Sequence, residues 1–266
     1  MSPEAARRIK LTLQYDGSGF HGWQVQPGVR TVQGEVESVL SRLADRPVTT
    51  IAAGRTDTGV HATGQVIGVD MPEKWTPDAL RRSVNALLPG DVWAADVASA
   101  PPDFHARYGA VARGYLYRIG TAEDAASPFR RRWCWALHDP LDATVLHATA
   151  LALRGEHSFE RYAKAGQPER GYVCAVHDAR WVERPGALEF RVVANRFLHH
   201  MVRYMVGTMV DVARERRPAS DIDALLANAA GLETSPPAPP EGLYLTRVYY
   251  AHDDWSGGDT SDEILS

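Results

Sequence analysis

The 266-residue sequence has only two cysteines, Cys134 and Cys174, which stand 40 positions apart without a CxxC pair. This spacing indicates neither a disulfide framework nor a zinc site, so we expect two buried thiols. The sequence also lacks the eighteen or so consecutive apolar residues of a membrane span, and the N-terminus lacks the apolar core of a signal peptide. We therefore expect a cytoplasmic protein with no membrane association, long enough to bury its own core.

Lysine is nearly absent: it accounts for three of the 29 basic residues, and the other 26 are arginines. The net charge is −4, but the last fifteen residues contain five acidic and no basic side chains, so the rest of the chain carries a charge of +1. Arginine suits bidentate phosphate contacts and stacking on bases, although a compositional preference for arginine would give the same ratio. The charge thus permits a nucleic-acid partner without requiring one.

The histidines show no metal-ligand spacing, and no HExxH motif is present. The adjacent pair His199 and His200 is expected on a helix, where neighbouring side chains point in different directions and do not share a metal. We expect these side chains to pack in the core or to contact RNA, and we predict no metal site.

Apolar periodicity and turn residues predict an α+β protein with a mostly antiparallel mixed sheet flanked by helices. In the first half, strands are predicted at 9–15, 48–52, 65–69, 92–97 and 108–119, and helices are predicted to follow Thr31 and Thr76. In the second half, a helix follows Asp142, a hairpin joins strands 173–182 and 188–194, helices span 195–214 and follow Ser220, and the last strand covers 243–250. The polar stretch 121–128 suggests an N-terminal half over 1–120, a C-terminal half over 121–251 and an acidic tail over 252–266.

The most informative segment is the run AGRTDTGVHA over residues 53–62. It sets the Asp57 carboxylate two residues after the Arg55 guanidinium, between two glycines. An opposite charge nearby favours the ionised carboxylate, which makes Asp57 a candidate nucleophile. Taken alone, an aspartate in a glycine loop is more often a turn residue that hydrogen-bonds its own backbone.

The whole run resembles the GRTD-x-GVHA signature of the tRNA pseudouridine synthase A family. Further similar blocks are YDG at 15–17, FHGWQVQ at 20–26, TVQG at 31–34, NALLP at 85–89, FHAR at 104–107 and APPEGLYL at 238–245. The resemblance implies the pseudouridine synthase fold, in which two α/β halves surround a central cleft. It also implies that Asp57 is the essential nucleophile and that neither a cofactor nor a metal is needed.

Three other residues are assigned by the same resemblance. Tyr115 and Tyr117 share one face of a predicted strand, and alone both read as core aromatics; the resemblance makes Tyr115 the ring that packs on the target base and leaves Tyr117 in the core. Arg203 lies in an apolar helix, so we expect it to be half-buried and paired with a carboxylate or phosphate. The resemblance places Arg203 at the active site beside the catalytic aspartate, and makes Leu243 an apolar wall of the uracil pocket.

The implied substrate is tRNA, modified at uridines 38, 39 and 40 of the anticodon stem-loop by a homodimer, with base flipping to expose the target. The chain departs from the family pattern at GEHSF, residues 155–159, and at residues 167–174, which puts RNA contacts from that region in question. The basic stretch RRRW at 130–133 is either a phosphate contact or an exposed turn.

Two alternatives of other classes stay open at this point. One is an RNA-binding or RNA-folding module that has lost its chemistry, against which the complete set Arg55, Asp57, Tyr115 and Arg203 argues. The other is a carboxylate-based glycoside hydrolase, which requires a second carboxylate flanking the bond. No motif in the sequence identifies one.

Overall fold

The computed structural model describes residues 6–164, 166 and 171–251. The described residues divide into two compact units: the first contains those up to Val111 and from Leu245 onward, and the second contains those between Ala112 and Tyr244. The borders fall inside two strands, β5 (Ala110–Gly120) and β10 (Leu243–Tyr250). The acidic tail 252–266 and residues 167–170 of the divergent segment lie outside the described residues.

In the first unit, β1 (Ala6–Tyr15) lies between β4 (Val92–Ser99) and β3 (His61–Pro72) and is antiparallel to both. Strand β10 is the next neighbour of β3. Along β1, Ile9, Leu11 and Leu13 are fully buried and alternate with half-buried residues. This burial with a period of two is what the sequence predicted for the first strand.

Two helices of the first unit begin at the predicted residues because threonine side chains cap them. Thr31 Oγ1 accepts a hydrogen bond from the Gly34 amide at the start of α1 (Val32–Ala44). Thr76 Oγ1 accepts one from the Ala79 amide at the start of α2 (Pro77–Leu87), where proline fills the first helical position.

The strand predicted over 48–52 is shorter than expected, since β2 covers only Ile51–Ala52. The Thr50 amide and hydroxyl both donate to Glu37 Oε1, at 2.7 and 3.0 Å, and the Val48 amide donates to Ser41 Oγ. Side chains of α1 therefore take the bonds that a neighbouring strand would have supplied. The two residues of β2 pair with β3.

In the second unit, β5, β9 (Ala187–Ala194), β8 (Val173–Arg184) and β7 (Gly155–Ser158) follow one another as antiparallel neighbours, and β6 (Trp135–Ala136) pairs with β5 in parallel. The predicted hairpin between β8 and β9 turns at Gly186, whose φ is +70°. The described part of the unit also contains the α-helices α3 (Ala143–Ala152), α4 (Met201–Ala213) and α5 (Ser220–Leu226). The Asp142 carboxylate caps α3 as predicted.

Helix α4 begins six residues later than the predicted start at 195. The Asn195 amide donates to the Ala175 carbonyl and the Asn195 side-chain oxygen accepts from the Ala175 amide, both at 3.0 Å, so this residue continues the strand pairing. His200, directly before the helix, has a φ of +63° in the left-handed region. Apolar residues continue through this connection in the sequence, so their periodicity did not show that the helix begins only at Met201.

Both units mix helices with mainly antiparallel strands, which confirms the predicted α+β class. Both cysteines are buried and free, as predicted. None of the helices in the described part of the chain has the length and apolar character needed to cross a bilayer.

Candidate active site

The candidate nucleophile lies on the loop that joins β2 to β3 in the first unit. Asp57 is half-buried, Thr56 before it is buried, and Arg55 is exposed. The loop closes on itself where the Val60 amide donates to the Asp57 carbonyl at 3.1 Å, and Gly59 allows this turn with a φ of +78°. Asp57 begins this turn and Arg55 precedes it on the same loop, and the predicted effect of Arg55 on the ionisation of Asp57 stays a prediction.

The segment 16–23, which follows β1, holds this loop through backbone hydrogen bonds. The Trp23 amide donates to the Thr56 carbonyl at 3.0 Å, and the Gly59 amide donates to the Phe20 carbonyl at 3.4 Å. Because Phe20 and Trp23 are themselves buried, the loop rests on core residues. The FHGW block therefore supports the loop that carries Asp57.

Two glycines make the close approach of segment 16–23 and the loop possible. A Cβ atom on Gly17 would lie 2.0 Å from the Val60 carbonyl oxygen. A Cβ atom on Gly22, whose φ is +85°, would lie 2.8 Å from the Thr56 carbonyl oxygen. Any larger residue at either position would push the two backbones apart.

A buried polar network lies under the loop. The Tyr15 hydroxyl and Thr56 Oγ1 are 2.8 Å apart, and Gln65 Nε2 donates to the Gly54 carbonyl at 2.7 Å. Burial raises the pKa of Tyr15 to about 12, although its hydrogen bonds with Thr56 and Gln65 lower it, so the phenol stays protonated at neutral pH. Side chains from β1 and β3 thereby fix both the position and the orientation of the loop.

His61, at the end of the loop, belongs to the same support. Its side chain is almost completely buried, and its Nδ1 accepts a hydrogen bond from the Gly17 amide at 3.0 Å. Asp16 Oδ1 lies 3.3 Å from the same nitrogen. The sequence predicted core packing or RNA contact for the histidines, and this buried ring joins the segment after β1 to the start of β3.

Tyr115 lies in the second unit, on β5, where it pairs with Val192 of β9. It is half-buried, and its ring meets the Phe197 ring edge-on with centroids 4.8 Å apart. Tyr117 is completely buried and its hydroxyl donates to the Pro239 carbonyl at 2.8 Å, which confirms it as a core residue.

Arg203 lies in the first turn of α4, also in the second unit. It is half-buried, as predicted, and its Nε donates to the Ala238 carbonyl at 2.6 Å. This bond fixes the plane of the guanidinium group.

Leu243, at the start of β10, is 5% exposed, and the neighbouring Gly242 packs against the Tyr117 ring.

The prediction that His199 and His200 point apart from a helix is wrong. Both residues precede α4. The backbone of His200 lies in the left-handed region, and the two ring centroids are 4.3 Å apart.

The structure brings Arg55 and Asp57 together on one loop of the first unit, and places Tyr115, Arg203 and Leu243 in the second unit. The sequence did not reveal that Tyr15, Gly17, Gly22 and Gln65 support the loop, although the first three lie in blocks that resemble the family; Gln65 had no signal beyond its place in a predicted strand.

Comparison with known proteins connects this arrangement to one family. A model of the family described as tRNA pseudouridine synthase matches residues 12–109 and 149–251. The matched stretches include the loop with Asp57, Arg203 and Leu243, while Tyr115 lies between them.

Curated relatives align over nearly the whole chain. The tRNA pseudouridine synthase A of Moorella thermoacetica is 41% identical over 244 residues, which cover 91% of this chain and 99% of the relative. The enzymes of the same name from Geobacillus kaustophilus and Geobacillus sp. strain WCH70 are 40% and 38% identical, each across 92% of this chain, and cover 95% and 99% of those relatives.

Proposed function

Because the chain belongs to the tRNA pseudouridine synthase family, we propose that it isomerises uridine to pseudouridine at positions 38, 39 and 40 of tRNA, in the anticodon stem-loop. The observation that carries this proposal is the half-buried Asp57 on a loop supported by segment 16–23 and by the Tyr15–Thr56 bond. A carboxylate on a loop that is held in this way needs little rearrangement of the backbone before it reacts.

The reaction exchanges one bond to the ribose C1′ for another. The N1–C1′ bond breaks, the uracil turns, and a C5–C1′ bond forms; the proton lost from C5 is balanced by one gained at N1. The product has the same atoms and electrons as the substrate, so the reaction needs no oxidant or reductant. We propose that Asp57 acts as the nucleophile that divides this exchange into two easier steps.

The other site residues take roles suited to their settings. We propose that Tyr115, whose ring is held edge-on by Phe197, packs on the base after it has been flipped out of the stem. Arg203, whose orientation is fixed by Ala238, contacts the RNA, and the exposed Arg55 contacts the RNA or the Asp57 carboxylate. Leu243 supplies apolar surface to the uracil. Homodimeric assembly and a cytoplasmic location complete the proposal.

The test separates binding from chemistry in the Asp57→Asn variant. We expect it to bind an unmodified tRNA transcript with an affinity close to that of the wild type and to form pseudouridine more than about 10⁴-fold more slowly. Asp103→Asn, at an exposed carboxylate of the first unit, is the matched control and should keep full activity. Pseudouridine should map to positions 38–40 of the wild-type product.

Other outcomes contradict specific parts of the proposal. Retained isomerisation by Asp57→Asn would remove Asp57 from the chemistry. Tight tRNA binding by the wild type with no tritium release from C5-labelled uridine would identify an RNA-binding module. Free uracil and an abasic product would identify a glycosidase.

A further inference from the structure

A turn in the second unit exposes an aromatic ring beside three arginines. Phe129 is 88% exposed, more than any other large apolar side chain that the structure describes, and Arg130, Arg131 and Arg132 after it are also exposed. We call residues 127–133 the arginine turn. A single exposed apolar side chain is ordinary in proteins, so the ring points to a partner only together with the three arginines beside it.

The backbone of the arginine turn is closed by its own hydrogen bonds. The Ser127 carbonyl accepts from the Arg130 amide at 3.1 Å and from the Arg131 amide at 2.9 Å, and the Arg130 carbonyl accepts from the Trp133 amide at 2.8 Å. Pro128 restricts φ at the second position of the first of these turns. Phe129 therefore stands on an ordered turn.

The base of the turn is attached to the core of the second unit. The Tyr244 hydroxyl donates to the Trp133 carbonyl at 2.6 Å, and Cys134, the next residue, is buried against β5, where a Cβ on Gly120 would lie 2.7 Å from its sulfur. A turn anchored in this way has little freedom to fold back and cover the Phe129 ring. A turn whose backbone is already ordered loses little backbone entropy when a ligand stacks on its ring.

The chemistry of the turn favours a nucleic acid. Guanidinium groups bind phosphate oxygens, and aromatic faces stack on unpaired bases. Arg130 pairs with Asp124, but both side chains are about 60% exposed, so solvent weakens this pair and phosphate can replace it. A symmetric contact with a second copy of the chain would set arginines against arginines, which disfavours that partner.

We propose that the arginine turn binds an unpaired nucleotide of the tRNA other than the reacting uridine, with Phe129 stacked on its base and Arg131 and Arg132 on the flanking phosphates. The inference rests on the proposed function, since it takes tRNA as the ligand. The turn lies between the two stretches that match the family model. The family match therefore does not by itself assign a role to the turn.

The first experiment tests the aromatic ring. Phe129→Ala should weaken binding of an unmodified tRNA transcript by roughly 5- to 150-fold, the range of one lost base stack, and should raise the KM accordingly. Phe129→Trp should restore binding, whereas Phe129→Leu should not, because leucine has apolar area but no aromatic face. Leu151→Ala, at a 61% exposed position on α3, is the matched control.

The second experiment tests the charges. Arg131→Gln should reduce the slope of log Kd against log salt concentration by about 1, the value for one lost phosphate contact. Arg216→Gln, whose side chain is 58% exposed in the same unit, should leave the slope unchanged. Circular dichroism on every variant checks that it folds.

The outcomes separate this inference from the proposed function. Wild-type pseudouridine formation together with unchanged tRNA binding by Phe129→Ala and Arg131→Gln overturns the inference alone. tRNA binding without any pseudouridine formation overturns the proposed function, while the two variants still test the turn. If Phe129→Leu binds tRNA normally and Phe129→Ala shifts the sedimentation coefficient, the ring packs against a second copy and the RNA assignment is wrong.

Discussion

Substituting Gly17 by alanine should displace the loop that carries Asp57. The added methyl group would lie 2.0 Å from the Val60 carbonyl oxygen and 2.4 Å from its carbon, both backbone atoms. Ordinary contact begins near 3.4 Å, so the loop or the segment after β1 must move by about 1.4 Å. Neither can move alone, because the Gly17 amide also donates to His61 at 3.0 Å.

The size of the effect follows from this displacement. A catalytic group misplaced by about 1 Å can cost roughly 10²-fold in rate, so we expect kcat for pseudouridine formation to fall by about that factor. Overpacking should lower the free energy of unfolding by about 1–3 kcal/mol. Loss of the bond between the Gly17 amide and His61 adds roughly 1 kcal/mol.

The assay is single-turnover pseudouridine formation at saturating tRNA, measured below the unfolding midpoint, with urea unfolding of the same samples. Gly19→Ala is the matched control, because a methyl group there meets only the Arg30 side chain at 3.4 Å and the Asp91 side chain at 3.6 Å. The control should retain the wild-type rate. A folded Gly17→Ala variant with the wild-type kcat would refute the argument that this contact positions Asp57.

The remaining predictions concern the support of the loop and the core of the second unit. Tyr15→Phe removes a buried hydroxyl bonded to Thr56 Oγ1, so we expect a loss of about 1–3 kcal/mol in urea unfolding and a reduced kcat. Glu189 is buried; burial alone would raise its pKa, but hydrogen bonds with Arg118 and Arg191 hold the pKa below its usual value near 4.5. The stability that ionised Glu189 contributes is therefore fully present above the usual pKa near 4.5 and is lost as the pH falls through the lowered pKa. Glu189→Gln should cost about 3–5 kcal/mol at pH 7 and should remove this pH dependence. Burial raises the pKa of the Cys174 thiol to about 11, so an aromatic disulfide reagent should modify Cys134 and Cys174 only on unfolding.

Contrary results are equally specific. Wild-type stability and kcat in Tyr15→Phe would mean that the Thr56 bond contributes nothing to the loop. Equal acid sensitivity of Glu189→Gln and the wild type would assign the pH dependence to other carboxylates. Rapid thiol modification under native conditions would show that the second unit opens far below its unfolding midpoint.

Local sequence signals were reliable where one side chain sets the local backbone. Thr31, Thr76 and Asp142 were identified as helix caps from their letters, and each accepts the predicted backbone hydrogen bond. The signature around Asp57 likewise predicted a loop between strands, because glycines and charged letters interrupt two apolar runs. In each case the signal comes from residues that are close together along the chain.

The sequence failed where distant residues decide the conformation. Ala175, twenty residues before Asn195, accepts a hydrogen bond from the Asn195 amide and donates one to its side-chain oxygen. These bonds keep Asn195 in the strand pairing, so α4 begins later than predicted. Thr50 is bonded to Glu37 of α1 and not to a neighbouring strand. The apolar periodicity of a sequence carries no information on hydrogen bonds between residues that are distant along the chain.

The α+β class, the positions of most helices and strands, and the loop that holds Asp57 could be predicted from the sequence, because apolar periodicity, caps and turn residues act over short distances. Only the tertiary structure revealed how that loop is held: by glycine contacts 43 residues apart along the chain, between Gly17 and Val60, and by the Tyr15 hydroxyl at Thr56. It alone also showed that Phe129 faces solvent. Close approach and exposure depend on which distant segments pack together, and the order of the letters does not specify that directly.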